Sequence, residues 1–124
     1  MKALVPLLSR EENAPEFLEK LKTFDEIVLF VCVDRGEMVG EFGFAASDML
    51  NATKFMEEMV TALRRRRVKV VDVLEWGETI PKIVQLAQSK QVDKVLLKKQ
   101  SNLHWRKLEE ELERKLGKKL LEVV

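Results

Sequence analysis

The chain has 124 residues, a formal net charge of +1, and 35% charged residues of both signs, interspersed along its length. That is the size of one domain, and the charge balance argues against bulk attraction to nucleic acid or to an acidic membrane. Hydrophobic residues make up 46% of the chain, enough for an ordinary core. Cys32 is the only cysteine and His104 the only histidine. An internal disulfide, a cysteine metal cage, and most zinc, Ser-His-Asp and Cys-His arrangements are therefore excluded. No apolar run approaches the ~20 residues that span a bilayer. The opening MKALVPLLSREE is too quickly charged for a signal peptide. A soluble, cytoplasmic protein is expected.

Ala3-Leu4-Val5-Pro6-Leu7-Leu8 reads as a strand buried on both faces, with Pro6 near its last rungs. Ser9 to Asn13 is polar loop, and Asn13 is expected to cap a helix with Pro15 in its first turn. Ala14, Phe17, Leu18, Leu21 and Phe24 give that helix its inner stripe. Ile27 to Val33 is an unbroken apolar run and the strongest strand signal in the chain, ended by Asp34-Arg35-Gly36. Residues Glu37 to Ser47 show no period and predict a mobile or partly helical loop. A helix follows from Ser47 or Asp48, with Met49, Ala52, Met56, Met59, Val60 and Leu63 facing inward and Arg64 to Arg67 at its negative end.

Val68 to Leu74 predicts an edge strand, since Lys69 and Asp72 interrupt it. Trp76-Gly77-Glu78 turns the chain into a helix that Thr79 is expected to cap, with Pro81 in the first turn. Val92 to Leu97 is a further buried strand. The last helix runs from about Leu103 to Leu116 on a stripe of Trp105, Leu108, Leu112 and Leu116. Gly117 ends it, and Leu120 to Val124 is a final short strand. One strand before each helix predicts a doubly wound α/β domain over 1–124, a five-stranded parallel sheet with helices on both faces. Ligands in such sheets bind beyond the carboxyl ends of strands, where the strand order reverses. The exit of the fourth strand, Lys98-Lys99-Gln100-Ser101-Asn102, is expected to flank that point.

In order and spacing, the chain resembles the universal stress protein family over nearly its whole length. Lys2-Ala3-Leu4-Val5-Pro6 is similar to the family's opening strand. Gly77 with Ile83 and Ala87 is similar to its third strand-to-helix unit, and Val92-Asp93-Lys94-Val95-Leu96-Leu97 to its fourth strand. The resemblance implies strand order 3-2-1-4-5, a switch point between strands 1 and 4, and often a homodimer through the C-terminal strand, here Leu120, Leu121, Glu122, Val123 and Val124. The family's ATP-binding branch carries an acidic residue where Leu8 stands. It also carries a glycine-x-x-glycine loop whose positions fall on Lys98 and Ser101, and a later glycine whose slot falls near Glu111. No glycine occurs between Gly77 and Gly117. A side chain at a glycine position bars close backbone approach to phosphate, and Leu8 accepts no hydrogen bond.

The resemblance, taken with these departures from the ATP-binding pattern, implies a non-catalytic, homodimeric, stress-related regulatory or interaction protein without tight ATP binding and without a cofactor or metal. The alternative is a binder of a small anionic ligand or nucleotide in the strand 1/strand 4 crevice. The candidate lining is Pro6, Leu8, Ser9, Arg10, Val33, Asp34, Lys98, Lys99, Ser101 and Asn102. A bland reading stands beside it: Ser101 or Asn102 as the N-cap of the last helix and Asp34 as the start of a turn. Cys32 reads as a buried small hydrophobe. The arginine run spreads around its helix at ~100° per residue and forms no nucleic-acid stripe.

Overall fold

The computed structural model describes residues 1–34, 44–101 and 104–124, Asp34 by its backbone alone. The elements are β1 (Lys2–Pro6), α1 (Pro15–Leu21), β2 (Glu26–Asp34), β3 (Phe44–Ala45), a 3-10 turn (Ala46–Asp48), α2 (Met49–Arg65), β4 (Lys69–Trp76), α3 (Thr79–Ser89), β5 (Lys94–Leu97), α4 (Trp105–Leu116) and β6 (Leu121–Val123). All strand pairings are parallel. β1 lies between β2 and β5, β4 pairs with β2, and β6 with β5, so the five long strands run β4-β2-β1-β5-β6. In sequence order that is the expected 3-2-1-4-5.

Alternation along each strand sorts the core into two layers. On one face Ala3, Val5, Ile27, Leu29, Val31 and Leu96 pack against Phe17, Leu18 and Leu21 of α1 and Ala52, Phe55, Met56, Met59 and Leu63 of α2. On the other, Leu4, Val28, Phe30, Val95 and Leu97 pack against Ile83, Leu86 and Ala87 of α3 and Trp105, Leu108 and Leu112 of α4. Each large side chain buried this way contributes about 1.5–3 kcal/mol of transfer free energy. That is why β1, β2 and β5 read as continuous apolar runs, whereas the edge strand β4 is mostly half-exposed.

Two helix starts differ from expectation. Ala14, not Asn13, is the N-cap of α1, and Glu78, not Thr79, that of α3, each without a side-chain cap. Pro15 opens α1, so one orphan donor is already missing. In α3 Pro81 stands third and removes the N–H that a capping side chain would bind. Phe55 joins the inner stripe of α2, and Met49 is only half-buried. The arginine run closes α2: Arg66 Nε lies 3.5 Å from Glu19 and Arg67 turns the chain at φ 61°.

Of the expected loop, residues 37–43 lie outside the described residues, whereas Phe44–Ala45 forms β3 and Ala46–Asp48 a single 3-10 turn. Val33 pairs with Trp76 on one edge of β2. Its pairing with Phe44 therefore uses the other edge, which β1 occupies from Glu26 to Phe30. β3 thus lies in line with β1, beyond its carboxyl end.

Candidate functional site

The chain runs from β1 to β2 and β4 on one side, then returns to β5 on the other side of β1. The switch point therefore lies between the exits of β1 and β5, where a ligand crevice is expected. In this chain the two exits are bonded to each other.

The bond is made by Glu12 and Gln100, the two buried polar residues of the described core, 0% and 5% exposed. Ser9-Arg10-Glu11-Glu12 has the spacing of a capping box, in which a glutamate three residues on reaches back to a backbone N–H. Here Glu12 Oε1 accepts the Ser9 N–H at 3.3 Å, and Oε2 accepts the Leu8 N–H at 3.0 Å. From the β5 side, the Gln100 amide nitrogen donates to Glu12 Oε2 at 2.9 Å and to the Lys98 carbonyl at 2.8 Å. The Gln100 carbonyl accepts from the Ser9 hydroxyl. Every polar atom of the Gln100 side chain is thereby engaged.

The Glu12 carboxylate thus occupies the Leu8 and Ser9 N–H groups at the exit of β1. Burial pushes its carboxyl up to about 7, against the opposing pull of the Leu8, Glu12 and Ser9 backbone N–H groups and of Gln100. No ion pair among the described residues reaches it.

A second carboxylate meets the same exit. Glu11 Oε1 accepts the Ser101 hydroxyl at 3.1 Å and Oε2 the Ser101 N–H at 3.4 Å. Ser101 is therefore not the N-cap of α4, a position that His104 takes. Lys98 is half-buried with Nζ 3.4 Å from the Lys99 carbonyl, and Lys99 and Arg10 are exposed. Asn102 lies outside the described residues, as does the Asp34 side chain.

The apolar candidates are packed into the core. Leu8 is 3% exposed in the layer that holds Phe30, Cys32 and Trp105. Val33 is fully buried and Pro6 is buried at the end of β1. Phe44, in β3 beyond that end, packs with Val33 and Phe55.

The structure brings Ser9, Lys98 and Ser101 together around Glu11, Glu12 and Gln100, of which Glu12 and Gln100 carry the contact between the exits. Sequence reasoning placed Glu12 in a polar loop and named Gln100 within the strand exit at the switch point, but not among the candidate lining. The signal for Glu12 was the Ser-x-x-Glu spacing. Gln100 carried none, because its role depends on pairing between segments 88 residues apart.

Among the described residues no cluster of three His, Cys, Asp or Glu side chains could hold a metal, and no helix is long and apolar enough to cross a membrane. Cys32 is buried, its thiol donating to the Gly77 carbonyl at 3.2 Å. β6 is an end strand: Leu120, Leu121, Glu122 and Val123 are half-buried, Val124 is exposed, and its outer edge pairs with nothing among the described residues.

The fold is an α/β fold with a parallel sheet between helical layers, and solved structures share it over their length. The structure of hypothetical protein MJ0577 has a TM-score of 0.73 at 23% identity, over 99% of this chain and 94% of that one. A universal stress protein in complex with cAMP has a TM-score of 0.65 at 9% identity, over 100% and 95%. A member of the universal stress protein family from Burkholderia pseudomallei has a TM-score of 0.65 at 14% identity, over 99% and 94%. No protein-family model and no curated protein matches the sequence. At these identities the likeness is one of fold.

Proposed function

We propose that this chain acts as a universal-stress-protein-like module of regulation or interaction, non-catalytic, homodimeric through β6, and without tight ATP binding. The observation that carries the reading is the bonded crevice: Glu12 and Glu11 occupy the N–H groups of Leu8, Ser9 and Ser101, and Leu8 is buried where a ligand-binding side chain would stand. An ATP phosphate would have to displace a carboxylate from those donors. One neighbour of the same fold is complexed with cAMP; in this chain the exits of β1 and β5 present Glu11 and Glu12 to an incoming anion.

Homodimerisation is supported by the β6 edge, where an unpaired apolar strand invites a two-fold mate. A thermal-shift screen with ATP, ADP, cAMP and inorganic phosphate tests the ligand part: no shift is expected. A shift with phosphate alone would favour the small-anion alternative.

A further inference from the structure

We propose that a second copy of this chain covers the β6 edge in one register: the two β6 strands run antiparallel about a two-fold axis at Glu122, and Lys118 meets the partner's Glu109. This deepens the dimer reading above and rests on it.

The backbone points to that register. Leu120 and Val124 turn their groups toward β5: the Leu120 carbonyl accepts the Val95 N–H, the Val124 N–H donates to the Leu97 carbonyl, and the Val124 carbonyl accepts the Lys99 N–H. Alternate residues of a strand bond to opposite sides, so Leu121 and Val123 turn theirs outward. The Leu121 N–H donates to the Gly117 carbonyl at 3.2 Å, which leaves the Leu121 carbonyl and both groups of Val123 to a partner. An axis at Glu122 lets each Val123 N–H donate to the partner's Leu121 carbonyl and opposes the strand along its whole length. An axis at Val123 would overlap less of β6 and carry the Leu121 carbonyl past the end of the partner's strand.

Charge on both faces agrees with it. Glu122 shares its face with Leu96, on the α1 side, and its Oε2 is shut from solvent with Lys20 Nζ 3.4 Å away. Like charges directly opposite across two strands repel; here each Glu122 brings its own counter-ion from α1. On the α4 side a groove of ≈ 290 Å³ follows the edge, with Leu121 and Val123 as its floor and Glu109, Glu113 and Lys118 around it. Lys118 lies 3.9 Å from Glu113, whereas Glu109 has no ion pair among the described residues. α4 connects two parallel strands and so runs opposite to them, which puts Glu109 toward the carboxyl end of β6 and Lys118 before its amino end. A two-fold axis exchanges those ends and brings each Lys118 to the partner's Glu109.

Charge reversal, read by sedimentation of the full chain, tests the register. Lys118→Glu alone and Glu109→Lys alone each set like charges at both symmetric contacts, and each is expected to weaken the dimer roughly tenfold or more. Mixed in equal amounts they are expected to restore it, since every such contact in the mixed dimer again joins opposite charges. Under mild oxidation Glu122→Cys is expected to form a covalent dimer, its partner position being directly opposite in a close pair. Leu121→Cys and Val123→Cys are expected to form little, because those residues face each other and not themselves; Cys32 is buried. With the unaltered chain sedimenting as a dimer, the register is overturned if neither reversal weakens it, if mixing restores nothing, or if Leu121→Cys or Val123→Cys cross-links as readily as Glu122→Cys. An unaltered chain that stays monomeric at high concentration overturns the dimer reading itself, and the register with it.

Discussion

Gln100, at the exit of β5, places its amide nitrogen 2.9 Å from the buried carboxylate of Glu12, at the exit of β1. This contact, with the Ser101–Glu11 bonds beside it, turns an expected ligand crevice into a joint. Gln100 also accepts the Ser9 hydroxyl and donates to the Lys98 carbonyl, so neither end of its amide is spare.

Replacing Gln100 by Leu leaves Glu12, the Ser9 hydroxyl and the Lys98 carbonyl each short of a partner. Leaving buried polar groups unpaired costs about 1–3 kcal/mol. Urea unfolding should show a lower midpoint at an unchanged slope. Unaltered stability would mean that water replaces the amide without loss.

The pH dependence of stability has a fixed sign. The Glu12 carboxyl is raised in the folded chain, so between about 4.5 and about 7 the native state holds a proton that the unfolded state has lost. Its contribution is fully present below the unfolded value and is lost as pH rises through the folded one. The size is about 3 kcal/mol for a shift of this extent. Unfolding free energies of the unaltered protein and Glu12→Gln, compared from pH 4 to 8, should diverge in that window.

Leu8→Ala tests the apolar half of the closure. Leu8 packs in the layer of Phe30, Cys32 and Trp105, and removing a buried leucine side chain costs about 2–5 kcal/mol. A loss below 1 kcal/mol, measured by denaturation, would place Leu8 in a site that is open and wet.

Gly77→Ala probes the exit of β4. Gly77 adopts φ 142°, and a methyl group there would meet Lys82 Cε at 2.9 Å. Its N–H also closes the sheet by donating to the Val33 carbonyl at 3.0 Å. A loss of about 1 kcal/mol or more is expected in thermal unfolding.

Sedimentation checks the β6 edge. The chain is expected to sediment as a dimer, and Val123→Lys, which places a charge on that strand, as a monomer. A monomer at high concentration for the unaltered chain would remove the dimer from the account.

The fold was legible because its determinants are local. The apolar run from Ile27 to Val33 reads as a doubly covered strand, and the stripe of Trp105, Leu108 and Leu112 as one helix face. The position of the crevice followed from topology. Its chemistry did not: Lys98 and Ser101, read as candidates to meet an anion, flank a contact made by Glu12 and Gln100 instead. A lone glutamate in a polar turn looks solvated until the β5 exit is laid over it, and that overlay depends on contacts 88 to 91 residues apart. β3 escaped notice for a similar reason, since two residues carry no period and gain their identity from Val33 and Asp34.

The most direct test of the closed crevice is a calorimetric titration of the unaltered protein with ATP. The account predicts no saturable heat as ATP reaches millimolar levels. A saturating isotherm with micromolar affinity would contradict it, because ATP would then have displaced the Glu12 carboxylate from the Leu8 and Ser9 N–H groups.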